Sequence, residues 1–240
     1  MKVMGIVDLS TIDWPGKSAT TIFFFGCPLA CPRCINKNYI GELQDLSRKQ
    51  IIDIIKENSK VVEAVVFSGG EASQHATDLS HIGREAKDMG LMVGIETSGI
   101  YPNNLNLMLE SNALDKVFLD VKGPLYEGGL LLKQRTGGTF EDPALPIARS
   151  LTNIIRTGTP LELRMTVFPD YPNEEEVEKT FRDIGTIFLM NKRKIEYRLL
   201  RGMPIDGDFE PLSMQEIADM AARIEEHLWR LSAKIAVGSR

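Results

Sequence analysis

The sequence is poor in the features that several protein classes require. Among its 240 residues are only 3 cysteines and 3 histidines, and the formal net charge is −5. No stretch reaches the ~18 consecutive apolar residues of a membrane helix, and the N-terminus lacks the layout of a signal peptide. The basic residues do not cluster, so nothing indicates a nucleic-acid surface. We therefore expect a cytoplasmic protein that binds neither membrane nor nucleic acid.

The three cysteines lie within eight positions, as Cys27, Cys31 and Cys34 in a CxxxCxxC pattern. An odd number argues against a disulfide framework. A structural zinc site normally has four ligands, but no second cysteine pair follows, and the nearest histidine, His75, lies 41 residues beyond Cys34. Three thiolates can hold three corners of an iron–sulfur cube and leave one iron open. The pattern thus favours an open-site cluster over zinc or inert core cysteines.

Segments of strand character alternate with helical segments along the chain. The predicted strands are residues 20–25, 63–67, 91–95, 116–121, 161–168 and 195–200. The predicted helices include residues 47–57, 103–111, 143–157, 173–190 and 213–231, and one more that ends near residue 89. This alternation is typical of a parallel sheet with right-handed crossovers. Six strands are too few for a closed eight-stranded barrel, so we predict an α/β fold, an open partial (β/α)6 barrel. We expect one domain, with residues 1–18 as an N-terminal extension and 19–231 as the barrel core.

Polar and glycine-rich motifs follow the ends of the predicted strands. After the second strand comes Ser68-Gly69-Gly70-Glu71, and after the third comes Glu96-Thr97-Ser98-Gly99. The fourth, fifth and sixth strands carry Asp120 with Lys122, Arg164, and Arg201. The carboxyl ends of parallel strands meet on one face of such folds, where their working residues gather. These motifs therefore predict a single site together with the cysteine loop.

A cysteine triplet after the first strand and a GGE-type motif after the second resemble the radical S-adenosylmethionine superfamily. The resemblance implies a 4Fe–4S cluster on Cys27, Cys31 and Cys34, which we take as the catalytic and metal-binding residues. It also implies that the open iron binds the amino and carboxylate groups of S-adenosylmethionine. One electron from the cluster then gives methionine and a 5′-deoxyadenosyl radical, which abstracts a hydrogen atom.

Within this resemblance, the strand-end residues are expected to contact S-adenosylmethionine. Gly69 and Gly70 allow close approach of the backbone, Glu71 is expected to accept a hydrogen bond from the ligand's amino group, and Lys122 to pair with its carboxylate. The alternatives are an ordinary acidic helix start for Glu71 and a surface salt bridge for Lys122. The full predicted set is Arg33, Ser68, Gly69, Gly70, Glu71, Glu96, Thr97, Ser98, Asp120, Lys122, Arg164 and Arg201.

Residues 12–17 (IDWPGK) and the later segments DVKGP and RMTVFP are similar to the glycyl-radical-enzyme activases, in particular the anaerobic ribonucleotide-reductase activating group. This similarity implies a glycyl-radical enzyme as protein substrate and a flavodoxin- or ferredoxin-like reductant. Three positions depart from it. Arg33 stands where activases usually have an aromatic residue that packs near the adenine, Glu96 where aspartate is more usual, and Arg201 where some have histidine. A radical enzyme acting on a small molecule, peptide or modified nucleoside remains an alternative, as does a metal-stabilised binding module.

Overall fold

The computed structural model describes residues 1–36, 41–125, 142–205, 207–231 and 233–239, which contain one sheet with helices between its strands. The strands are β1 (Lys2–Ser10), β2 (Ala19–Phe24), β3 (Gln44–Asp45), β4 (Ala64–Gly69), β5 (Met92–Thr97), β6 (Lys116–Asp120), β7 (Leu161–Val167), β8 (Glu196–Arg201) and β9 (Ile235–Ser239). The α-helices are α1 (Arg48–Asn58), α2 (Ala76–Asp88), α3 (Pro102–Glu110), α4 (Ala144–Thr157), α5 (Glu174–Met190) and α6 (Met214–His227). Short 3₁₀ turns occupy Ala72–His75 and Trp229–Leu231.

The sheet has nine strands in the order β3-β1-β2-β4-β5-β6-β7-β8-β9. Every neighbouring pair from β2 through β9 is parallel, whereas β1 runs antiparallel to both β2 and β3. All six predicted strands are present, in chain order, as neighbours β2, β4, β5, β6, β7 and β8. The open, partial α/β barrel predicted from the sequence is confirmed.

Three strands of the described residues were not predicted, and they lie at the two ends of the strand order in the sheet. The first, β1, has exposed residues on both faces over part of its length, and its pairing with β2 has two irregularities in register. Its sequence therefore does not alternate regularly between apolar and polar residues. The second, β3, is only two residues long and exposed. The third, β9, is half-exposed and follows a helix at the edge of the sheet.

Three of the described α-helices begin where side chains satisfy their free backbone N–H groups. Complete capping boxes join Ser47 to Gln50, Asn173 to Glu176 and Ser213 to Glu216, each pairing an oxygen at the helix start with an amide of the first turn. These boxes fix where α1, α5 and α6 start. Among the described residues, no helix combines the length and apolar character required to cross a membrane.

Apolar side chains pack on both faces of the sheet. The larger cluster lies between strands and helices, and alternate residues of β4 and β6, such as Val66 and Phe118, belong to a second, smaller cluster, as the period of two in a strand requires. Trp14 completes the second cluster, with its ring 5.3 Å from that of Phe118 in an edge-on arrangement. A Cβ on Gly94 would lie 2.9 Å from the Trp14 ring, so glycine leaves room for the indole. The residue 12–17 segment is thus anchored inside the curved sheet.

Candidate active site

The carboxyl ends of the parallel strands lie side by side and carry the predicted motifs. Phe24 at the end of β2 pairs with Gly69 of β4, Asp120 of β6 with Arg164 of β7, and Val167 of β7 with Arg201 of β8. The cysteine loop begins directly after β2. The topology therefore gathers the strand-end motifs at one edge of the sheet, as the sequence predicted.

The three cysteines are free thiols on the loop after β2, Cys27 exposed and the other two half-buried. Partial burial raises the pKa of Cys27 to about 11, with repulsion from Glu71, Cys31 and Cys34 adding to it and a hydrogen bond from the Leu29 backbone opposing it. In the described part of the chain, no three His, Cys, Asp or Glu side chains already form a group that could hold a metal ion.

The end of β6 lies close enough to this loop to act on its charge. Burial raises the pKa of Cys31, and the positive charge of Lys122 is the main influence that lowers it. Lys122 in turn forms an ion pair with Asp120, whose carboxylate lies 2.6 Å from its Nζ atom and is largely buried. Lys122 is thus in a salt bridge, as the alternative reading supposed, but the pair is partly buried and lies in the neighbourhood of the thiols.

A close contact between two glycine segments joins the cysteine loop to the end of β4. Gly70 N donates to the carbonyl oxygen of Phe24 at 2.8 Å, and Glu71 N donates to that of Gly26 at 2.8 Å. A Cβ on Gly70 would lie 2.2 Å from the Gly26 oxygen, and Gly69 has φ +110°, a conformation that favours glycine. The backbones touch here because neither glycine has a side chain.

Two residues that the sequence did not single out strengthen this contact. The Asn36 amide donates to the carbonyl oxygen of Gly69 at 2.8 Å, and Gln74 Nε2 donates to that of Gly26 at 2.8 Å. Asn36 follows the last cysteine by two residues and Gln74 follows Glu71 by three. Only their positions beside the two motifs could have indicated from the sequence that Asn36 and Gln74 belong to the site.

Glu71 is buried and accepts hydrogen bonds from three side chains of the protein itself. One oxygen accepts from the Ser73 hydroxyl and the Thr97 hydroxyl, each at 2.6 Å, and from Ser73 N at 3.2 Å. The other accepts from Ser98 N at 2.9 Å and from the Ser98 hydroxyl at 2.6 Å. The carboxylate therefore ties the end of β5 to the turn after β4. Ser73 is a further residue missed from the sequence.

Arg164 is buried, as predicted, and its partners belong to the protein. Its guanidinium donates to Glu96, to Glu162 at 2.7 Å and to the carbonyl oxygen of Asp13 at 2.9 Å, and stacks with Cζ 4.0 Å from the centre of the Phe118 ring. Glu96 also accepts a hydrogen bond from Ser68. The network links Ser68 of β4 and Glu96 of β5 to Arg164 of β7, and so reaches across β6, which lies between β5 and β7 in the sheet.

The two arginines that depart from the activase pattern have different surroundings. Arg33 forms an ion pair with Asp170 and contacts aromatic rings in the loops after β7 and β8. Arg201 ends β8, is half-buried, and keeps its Nε atom buried without a hydrogen-bond partner among the described residues.

The donor set and its surroundings fit an iron–sulfur cluster. Three unoxidised thiols on one loop supply soft ligands of the type that iron–sulfur clusters use. Gly69 and Gly70 lie next to the loop and pack their side-chain-free faces against the backbone of Phe24 and Gly26. The strand-end residues thus offer a place for a cluster with a second ligand beside it.

Comparisons with known proteins identify the family. The profile of the Radical SAM superfamily matches residues 21–184. The chain is 32% identical to a provisionally named glycyl-radical enzyme activating enzyme of Methanocaldococcus jannaschii, over 75% of each protein. It is 25% identical to the pyruvate formate-lyase-activating enzyme of Clostridium pasteurianum, over 81% of this chain and 79% of the relative.

Its fold is similar to that of TYW1 solved with a lysine–pyruvate adduct, with a TM-score of 0.61 at 12% identity, over 87% of this chain and 73% of that one. The match to the superfamily profile also confirms the predicted cofactors, a 4Fe–4S cluster and S-adenosylmethionine. The chain therefore belongs to the radical SAM superfamily.

Proposed function

We propose that this protein is a glycyl-radical-enzyme activase, which removes a hydrogen atom from a glycine of a partner protein. The observation that carries the proposal is the match over three quarters of the chain to an activating enzyme at 32% identity. The order of motifs from residues 12–17 to the end of β7 supports it. The partner would be a glycyl-radical enzyme of the anaerobic ribonucleotide-reductase type, and the electron donor a flavodoxin- or ferredoxin-like protein.

Cys27, Cys31 and Cys34 would hold the cluster. In the superfamily, the reduced cluster and S-adenosylmethionine together supply a one-electron cleavage that generates a hydrogen-abstracting radical. Burial and mutual repulsion hold the pKa of Cys27 above that of a free thiol, so the thiols would release their protons as they bind iron as thiolates. Lys122, which acts on Cys31 electrostatically, is placed to offset the negative charge of such a group.

The remaining strand-end residues have two proposed roles. Some would contact S-adenosylmethionine directly, and others would hold the contacting residues in place. Gly69 and Gly70 would offer their backbone to S-adenosylmethionine, and Ser98 and Lys122 their side chains. Glu71 would act by holding Thr97 and Ser98, because its oxygens already accept from Ser73, Thr97 and Ser98.

The buried Arg164 supports Glu96. We propose Ser68, Asp120 and Arg201 as further neighbours of the ligand. We also propose a single-domain protein of the cytoplasm, a compartment that keeps free thiols reduced.

The test is anaerobic and uses the reconstituted full-length protein. It is mixed with reductant, S-adenosylmethionine and a candidate glycyl-radical enzyme, and electron paramagnetic resonance is recorded. A glycyl doublet on the partner, formed with stoichiometric 5′-deoxyadenosine, is expected. The matched control is the partner with its acceptor glycine replaced by alanine, which should show no doublet.

Two other outcomes would overturn parts of the proposal. Deuterium transfer from a labelled small metabolite into 5′-deoxyadenosine, with no radical on the partner, would assign the protein to small-molecule chemistry instead. The departures at Arg33 and Arg201 are the observations that favour that second function. Full iron content and turnover in each of the three Cys→Ala variants would show that this loop does not bind the cluster.

A further inference from the structure

Three aromatic rings surround the guanidinium of Arg33. Its Cζ atom lies 5.2 Å from the ring centre of Phe168, 5.2 Å from that of Tyr171 and 4.3 Å from that of Phe209. These distances are within the range at which a cation is attracted to a ring face. A planar guanidinium suits such stacking, whereas a lysine ammonium has no plane to stack. We call Phe168, Tyr171 and Phe209 the aromatic box.

Two carboxylates flank the same guanidinium. Arg33 forms an ion pair with Asp170, and its Nε lies 3.7 Å from a carboxylate oxygen of Asp208. The Arg33 side chain is only 18% exposed, so its charge is held largely out of water by groups that neutralise it. One acid comes from the loop after β7 and the other from the loop after β8, as do the rings.

The aromatic box is packed by contacts of its own. The Phe168 ring lies 5.6 Å from that of Phe209, edge-on, and 5.3 Å from that of Tyr171. Gly202, just after β8, makes room for it, because a Cβ there would lie 2.3 Å from the Phe168 ring. These contacts hold the aromatic box in place around the Arg33 guanidinium.

Arg33 lies between Cys31 and Cys34 in the chain, and the aromatic box lies on the other side of the barrel mouth. The loop after β2 carries Arg33, and β4, β5 and β6 separate β2 from β7 in the sheet. A contact between these loops crosses the open edge where the predicted site residues gather. It ties the ligand-bearing turn to the last strands of the barrel.

We propose that Arg33 is a positioning residue, which holds the Cys31–Cys34 turn across the barrel mouth and does not stack on the adenine of S-adenosylmethionine. The aromatic box, Asp170 and Asp208 already occupy the guanidinium. The inference uses the proposed cluster site but not the activase role, and its first test needs neither partner protein nor cluster.

Trypsin reports directly on this contact, because it must take the Arg33 side chain into its own pocket before it cuts the Arg33–Cys34 bond. In the cluster-free full-length protein we expect this cut to be about tenfold slower than the cut after Lys194, which lies in an exposed turn before β8. That factor is what an interaction of ~1.4 kcal/mol produces. Mass spectrometry of the same digest measures both rates.

Phe209→Ala opens the aromatic box but leaves the cleavage site intact, so the cut after Arg33 should approach the rate at Lys194. Trp229→Ala is the matched control, because it removes an exposed ring beside Arg230, and the cut after Arg33 should stay slow. A fast cut after Arg33 in the wild type, or no acceleration in Phe209→Ala, would overturn the proposal.

If Arg33 positions the Cys31–Cys34 turn, its loss should also change the cluster itself, which a role in loop stability alone would not predict. After anaerobic reconstitution, Phe209→Ala and Arg33→Lys should lose iron to a chelator about tenfold faster than wild type and show an altered electron paramagnetic resonance spectrum of the reduced cluster. Affinity for S-adenosylmethionine per bound cluster should stay unchanged. A selective loss of that affinity, with normal iron retention, would instead assign Arg33 to direct adenine contact.

Discussion

At the scale of single residues, Glu71 is the strand-end residue with the most hydrogen bonds to its neighbours in the predicted site. The sequence suggested a direct contact, because the residue follows two glycines beside the cysteine loop. In the structure its carboxylate oxygens accept from Ser73, Thr97 and Ser98. A carboxylate with these partners holds the neighbouring hydroxyls in place at the ends of the strands, where we propose that the ligand binds.

Glu71→Gln should weaken S-adenosylmethionine binding and leave the iron content intact. The new NH₂ group cannot accept hydrogen bonds from Ser98 or Thr97, so one end of the network loses its acceptor. Loss of a hydrogen bond to a charged group costs about 1.5–3 kcal/mol, or roughly ten- to a hundredfold in affinity. Equilibrium dialysis of the reconstituted protein measures this, with Glu57→Gln on the exposed face of α1 as control. Equal affinities in the two variants would contradict the role.

At the scale of elements, the contact between the cysteine loop and the end of β4 depends on two glycines, Gly26 and Gly70, which have no side chains to keep their backbones apart. Gly70→Ala places a Cβ 2.2 Å from the carbonyl oxygen of Gly26, so the two segments must separate. Overpacking of this kind typically costs about 1–3 kcal/mol.

We expect Gly70→Ala to lose iron uptake and to lower the melting temperature. Gly5→Ala is the matched control, because nothing lies within 4 Å of a Cβ at that position in β1. Iron per chain after anaerobic reconstitution is the measurement, and normal uptake by Gly70→Ala would show that the contact is not required.

A second element-scale feature is the buried charge network that joins β6, β7 and β8. Glu162 accepts from Arg164 at 2.7 Å, from Arg198 at 2.8 Å and from Lys116 at 3.3 Å. Burial opposes its ionisation, but the three cations outweigh burial, with Arg164 the strongest, and lower the pKa of Glu162. The carboxylate is therefore ionised in the folded protein at neutral pH.

The stability that Glu162 contributes should be complete above the pKa of an unfolded glutamate and lost as pH falls through the lower folded pKa. Glu162→Gln should destabilise the protein at neutral pH by about 3 kcal/mol, because it leaves buried cations unpaired. It should also flatten the decline in stability that begins near pH ~4.3, the ordinary pKa of a glutamate, and continues below it. Urea unfolding of the cluster-free protein at several pH values measures both effects.

Glu196 provides the control for this network. It also pairs with Lys116, at 2.7 Å, but its side chain is 64% exposed. Glu196→Gln should change stability by less than about 1 kcal/mol, as is usual for exposed pairs. Similar losses in the two variants would contradict the assignment of stability to the buried carboxylate.

For the whole molecule, the sequence predicted the central strands of the sheet and not the strands at its two ends. The six βα strands were recognisable because each is a short buried run that ends at a motif, as in β4 and β5. The strand β1 was missed because its register is irregular. The strand β9 was missed because it is half-exposed and pairs only at the sheet edge.

The candidate site was predicted in part for a similar reason. Residues inside recognisable motifs, such as Glu71 and Lys122, could be named from the sequence. Contacts between distant loops could not, because no local pattern shows that Arg33 meets Phe209 or that Arg164 meets Asp13. Those partners are set by the curvature of the sheet, which the sequence does not reveal.

The burial of Trp14 gives the protein a built-in optical probe. Its indole is only 4% exposed, whereas the other tryptophan, Trp229, is 68% exposed. In a Trp229→Phe variant, all remaining tryptophan emission comes from inside the curved sheet, so it should be blue-shifted and shielded from iodide quenching. Unfolding would shift that emission to the red. Fluorescence could then follow the barrel interior in the cluster-free protein, where no iron absorbs the light.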